Sequence, residues 1–150
     1  MNSRVEQLKE YAKIMKDCPY SLRTYLQTYD NTQKKYVPLV LFPDQEQLIL
    51  DYENYNENIT KKYRQAGVST VTAAWVSRRL QLAKPENPER VLCIANKRDT
   101  AIELANKIRH FLEQWPEWMN VGFSPDTHAA VTVETPACLY FFVMFSLYFS

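Results

Sequence analysis

Only two of the 150 residues are glycine, Gly67 and Gly122, against an average usage of about 7%. Glycine is the residue that enters left-handed or crowded backbone at no steric cost. A chain so poor in it keeps one where backbone geometry requires it. That singles out Gly67, in the segment KYRQAGVST, before any motif is considered.

The length suits one domain with a sizeable core. With 46% apolar and 23% charged residues the composition is that of an ordinary soluble globular protein. A net charge of +1 argues neither for nor against a nucleic-acid partner. Basic residues cluster at Lys34 and Lys35, at Lys61 to Arg64, and at Arg78 with Arg79, and read as solvated faces. Cys18, Cys93 and Cys138 fit no zinc or redox spacing, and neither His110 nor His128 lies near a cysteine pair. Sparse, odd cysteines indicate a reducing compartment, each thiol a small core residue. The N-terminus MNSRVEQLKEYAK is polar and amphipathic and reads as no signal peptide, and no run is long enough to span a membrane.

Apolar periodicity predicts a first helix over 3–17, with a Ser3–Glu6 capping box and Val5, Leu8, Ala12 and Met15 on its apolar face. Cys18-Pro19 ends it. A short helix follows around Leu22 to Tyr29, then the polar turn DNTQKK. VPLVLFP, residues 37–43, reads as extended, and DQEQLILDYENY as a helix with Leu48, Ile49 and Tyr52 inward. A strand is expected in ENITKKYR with Ile59 and Tyr63 inward, then a helix over about 68–83. VLCIA, residues 91–95, is a continuous apolar run as in a doubly buried strand. A Thr100–Glu103 capping box then opens a helix whose stripe is Ala101, Leu104, Ala105, Ile108, Phe111, Leu112 and Trp115, with Pro116 after its end. Asn96 and Lys97 form a capped turn or touch a phosphate. Trp75, Trp115 and Trp118 read as packing residues. The alternation of strands and helices implies a parallel crossover, hence an α/β sheet.

Residues 129–150 differ in kind. Glu134 is their one charged residue, and the chain closes on ACLYFFVMFSLYFS. That run fits a buried core strand, or a tail foreign to the preceding sequence, as a shifted reading frame would produce.

A phosphate-binding loop needs inward N–H groups, a glycine for close approach, a hydroxyl for Mg²⁺, a cation, and a helix N-terminus aimed at the charge. The pattern G-x-x-x-x-G-K-[ST] is met in part. Gly67 and Ser69 are in place, but Val68 stands at the lysine position and Lys62 at the first glycine. Lys62 and Arg64, ahead of the turn, are candidate cations.

Here the chain resembles the large terminase subunits of tailed bacteriophages. Their variant Walker A, R-Q-x-G-x-[ST]-T, is matched by Arg64, Gln65, Gly67, Ser69 and Thr70, with Lys62 as the displaced basic residue. Many members keep a lysine after the glycine, and this chain does not. An upstream glutamine reads adenine in that family. Gln45 in LFPDQEQLI stands there, and by itself it also reads as a solvated helix residue. The stretch RVLCIANKRDTAIELANKIRHFLEQWPEW matches the family's strand, turn and helix ending at an aromatic-proline pair. The resemblance runs from about residue 10 to 125.

It implies a P-loop NTPase-type parallel sheet with flanking helices, incomplete, after a short helical segment. The corresponding divisions are 1–36 helical, 37–126 partial P-loop ATPase domain, and 127–150 an apolar tail, read as non-native or frameshifted. It implies ATP and Mg²⁺ as ligands, with Gln45 on the base, Lys62, Arg64, Gln65, Gly67 and Thr70 at the phosphates, and Ser69 on the metal. The implied partners are phage double-stranded DNA, the portal protein and the small terminase subunit, in the cytoplasm of the infected host. The family is an ATPase and endonuclease. This sequence lacks both the apolar strand ending in paired acids, which hydrolysis needs, and the nuclease carboxylates. Rival readings are a superfamily-2 helicase piece, against which Val68 counts, and a small non-catalytic interaction protein.

Overall fold

Asp17 stops one helix and starts the next. In the computed structural model, which describes residues 4–83, 90–95, 97–119, 130–131 and 140–145, α1 (Arg4–Lys16) ends just before it. The Asp17 carboxylate then accepts the Tyr20 amide at 2.8 Å and caps α2 (Cys18–Tyr25). Pro19 in the first turn of α2 needs no hydrogen-bond donor there, so the residue expected to end α1 also opens α2. Ser3 of the expected capping box lies outside the described residues.

Contacts divide the chain into two compact units, Met1–Trp75 and Val76–Ser150. In the first, α2 packs on α1, on α3 (Pro43–Asn54) and on the hairpin strand at Lys35–Pro38. The core includes Ile14, Cys18, Leu22, Leu26, Leu39, Leu41, Leu48 and Ile49. The expected face of α1 is not the buried one. Ile14 is buried, whereas Val5, Leu8 and Met15 are exposed. The opposite face carries Glu10, whose Oε1 accepts the hydroxyls of Tyr20 at 2.7 Å and Tyr25 at 3.0 Å.

The short helix expected to reach Tyr29 ends at Tyr25. β1 (Gln27–Asp30) follows, antiparallel to β2 (Lys35–Pro38), with Gln27 opposite Pro38 and Asp30 opposite Lys35. The turn between them forms without glycine. The Asp30 carboxylate accepts the amides of Thr32 and Gln33, which holds its pKa below the ordinary value, and Lys34 takes the left-handed conformation at φ 51°.

The second unit contains β3 (Arg90–Ala95), α5 (Arg98–Leu112), β4 (Ala130–Val131) and β5 (Tyr140–Phe145). The sheet order is β3-β5-β4, with β5 parallel to β3 from Arg90–Tyr140 to Ala95–Phe145 and antiparallel to β4. Within the expected tail 127–150, the apolar run therefore supplies the strand beside β3. Helix α5 packs on this sheet. Its stripe buries Ala101, Ala105, Ile108, Phe111 and Leu112, and Trp115 is buried just past its end. The expected Thr100 cap is corrected. The N-cap is Lys97, without a side-chain bond, and Thr100 already lies inside the helix.

The structure is thus mixed α/β, with one antiparallel hairpin and one small sheet containing a parallel pair. The strand expected in ENITKKYR is absent. Residues 55–67 carry no strand, and Ile59 and Tyr63 are exposed. A parallel strand is stable when both its faces are buried, and this polar segment offers too little apolar surface for that.

The Glu10 cluster yields a pH prediction. The Tyr20 hydrogen bond, with those of Tyr25 and Lys13, holds the Glu10 carboxyl below the ordinary glutamate range, although burial opposes the shift. A depressed acid contributes stability above its unfolded pKa and loses it as pH falls through the folded one. Glu10→Gln should be less stable than the parent in urea at pH 6. The gap should narrow steadily as pH is taken below about 4. A gap independent of pH would rule out the contribution of the charged carboxylate.

Candidate phosphate-binding loop

The start of α3 and the loop before α4 (Val68–Gln81) meet at one amide. Phe42 precedes α3 and Pro43 opens it, with Gln45 three residues past the cap. A glutamine there can reach back to the cap amide, and the Phe42 N–H donates to Gln45 Oε1 at 3.1 Å. The other end of the same side chain donates from Nε2 to the Ala66 carbonyl at 3.0 Å. The amide thus joins α3 to a loop residue 21 positions along the chain.

Beside it the backbone is left-handed at Gln65 (φ 66°) and at Gly67 (φ 71°). Such residues flanking Ala66 curl the chain in the manner that gathers successive N–H groups into an anion-binding concavity. Gly67 is required here twice over. Its φ lies where side chains are strained, and a Cβ on it would sit 2.6 Å from Gln45 Nε2. Its carbonyl accepts the amides of Thr70 at 3.0 Å and Val71 at 3.1 Å, which starts α4. The first amides of any such helix have no partner within it, and the positive end of its dipole lies there.

The start of α4 is anchored on α3. Tyr52 and Thr72 share a hydroxyl hydrogen bond of 3.1 Å, the Tyr52 and Trp75 rings lie 5.0 Å apart, and the Trp75 indole donates to Glu53 at 2.7 Å. Trp75 is therefore a packing residue, as expected. Farther along, Ser77, Arg78 and Gln81 are buried with Val76 and Leu80. The expectation that Arg78 lies on a solvated face is overturned. α4 is covered on most sides, and Arg78 belongs to the covered part. The clusters at Lys34–Lys35 and Lys61–Arg64 are exposed as expected.

An open cleft of about 490 Å³ adjoins the loop, lined by residues of α3 and of the 55–67 segment together with Val68. Of the expected site residues it contains Gln45 and Lys62. Arg64, Gln65, Gly67, Ser69 and Thr70 belong to the neighbouring turn and helix start, outside the lining. Lys62, Arg64, Gln65 and Ser69 are exposed, and Thr70 is half-buried. Among the described residues, no carboxylate is ion-paired with Lys61, Lys62 or Arg64. Asp44 and Asp51 also face the cleft, so its walls carry both signs of charge. Sequence reasoning missed these two acids and Phe42. The proline–glutamine spacing of a helix start was the available signal for Phe42.

Among the described residues, no group of three or more His, Cys, Asp or Glu converges as a metal cluster, and no helix is long and apolar enough to cross a membrane. No protein-family model matches the chain, and no curated protein compared with it is similar to it.

Gly67→Ala should cost at least about 1–2 kcal/mol in chemical denaturation, the usual cost of a side chain in left-handed backbone. Part of the loss should disappear in a Gln45→Ala background, where the clash partner is gone. Strict additivity of the two substitutions would contradict the packing of Gln45 over Gly67.

Proposed function

We propose that residues 62–70 form a phosphate-binding loop, and that the chain binds ATP with Mg²⁺ as the nucleotide-cradling part of a phage DNA-packaging ATPase. The observation carrying this reading is Gly67 in left-handed backbone at the mouth of α4, directly after the exposed cations Lys62 and Arg64. A triphosphate placed there meets the positive end of the helix dipole together with the exposed side chains of Lys62 and Arg64.

Lys62 and Arg64 neutralise the phosphates, Gln65 and Gly67 shape the turn, and Thr70 supports the helix start. Ser69 is exposed in the first turn of α4. Its hydroxyl would hold Mg²⁺, which neutralises phosphate charge when bound. The fold this reading implies is a P-loop NTPase-type parallel sheet with flanking helices. Phage DNA, the portal protein and the small terminase subunit are the partners, in the cytoplasm of the infected cell.

Hydrolysis and cutting of DNA are not ascribed to these residues. β3 is followed in sequence by Asn96 and β5 by Ser146, where an ATPase of this kind needs paired acids.

Calorimetry of the full chain should detect weak ATP–Mg²⁺ binding, reduced by about tenfold or more in Arg64→Ala, the scale of one charged hydrogen bond. Equal affinity in the parent and in Arg64→Ala would overturn the assignment. In a separate assay, phosphate release should stay at background. Turnover that is lost in Ser69→Ala would reveal a catalytic acid elsewhere in the chain.

A further inference from the structure

We infer that Gln45 is a positioning residue, which clamps the Ala66–Gly67 turn to the start of α3 and sets the shape of the loop that receives the phosphates. The inference rests on the phosphate-loop reading above, and departs from the adenine-reading role that the family resemblance implies for this side chain.

Three observations carry it. The carbonyl oxygen of the Gln45 amide accepts the Phe42 N–H at 3.1 Å. Its nitrogen donates to the Ala66 carbonyl at 3.0 Å. The same nitrogen also occupies the place next to Gly67 that a Cβ would approach to 2.6 Å, so the amide lies directly over the turn. Recognition of adenine by a glutamine uses one donor and one acceptor of the amide together. Here the oxygen already accepts from the helix cap and the nitrogen already donates to the loop, which fixes the plane in which the amide lies. Turning the amide toward a base would leave the Phe42 N–H and the Ala66 carbonyl without these bonds.

The loop also needs such a tie. Residues 55–67 have no strand ladder, and two left-handed residues lie within three positions of each other. The clamp supplies from a side chain the order that a β-strand would supply from its backbone. Its consequence for the site is that affinity depends on Gln45 through the triphosphate and not through the base.

The test uses the full chain with Gln45→Ala and Gln45→Glu. The glutamate keeps an acceptor for the Phe42 amide and so preserves the cap, but it cannot donate to Ala66. Trypsin cleavage after Lys61, Lys62 and Arg64, compared with cleavage after Lys9 in α1, reads the loop without any ligand. Both variants should raise the loop-specific rate by about three- to tenfold, the scale of one net hydrogen bond. Helix content should be unchanged in Gln45→Glu.

Titrations of Gln45→Ala with inorganic tripolyphosphate–Mg²⁺ and with ATP–Mg²⁺ then separate positioning from base reading. Weakening of both probes by the same factor, again about three- to tenfold, is the expected result. An unchanged cleavage ratio would overturn the clamp. So would a loss confined to ATP with tripolyphosphate unaffected, which would return Gln45 to the base. If the parent binds neither probe while loop cleavage still rises in both variants, the clamp stands and the phosphate reading of the loop falls.

Discussion

The Gln45 side chain joins two places the backbone does not bring together. Its carbonyl completes the start of α3 and its amino group holds Ala66, so the loop is fixed at the residue before Gly67. Everything proposed for the loop depends on that position. Gly67 must be left-handed to start α4 where it does, and the amide fills the space that a side chain there would need. In a chain with two glycines, one stands at a position where a side chain would be both strained and crowded. The hairpin turn shows the alternative, since an aspartate and a left-handed lysine do that work at the tip.

Rigidity in the first unit comes from helices more than from strands. α3 and the first turns of α4 are joined by Tyr52, Thr72, Trp75 and Glu53 through one hydroxyl contact, one ring contact and one indole donor. These groups combine apolar bulk with a directed bond, which fixes rotation about the helix axis as well as distance. An exposed cationic segment is thereby suspended between two elements that cannot easily move apart. The Arg23–Glu46 ion pair adds a link between α2 and α3, but both partners are solvated and such pairs contribute little.

The second unit illustrates a different dependence. β3 is apolar from Val91 to Ala95, and its described partner is the apolar run Tyr140–Phe145. Read alone, that run has no polar alternation and no evident cover. Beside β3 its backbone groups acquire a parallel ladder of six paired residues. The value of the segment lies in a pairing between residues about 50 positions apart, a separation that local patterning does not register.

The sequence by itself determined the helices and their ends where the signal is local. The 3.6-residue stripe of α5, the start of α4 at Gly67, the helical run carrying Leu48 and Ile49, and the extended VLCIA strand were legible because each follows from the spacing of neighbouring side chains. The glycine itself was legible as a backbone requirement. Tertiary structure alone decided which face of α1 turns inward, the one that buries Ile14 and on which Glu10 accepts the hydroxyls of two tyrosines from α2. It also decided that Arg78 is buried and that Gln45 spans from a helix cap to the loop. Each of these outcomes depends on a partner distant in sequence. Hydrogen bonds and burial are properties of pairs in space, whereas periodicity records only one member of each pair.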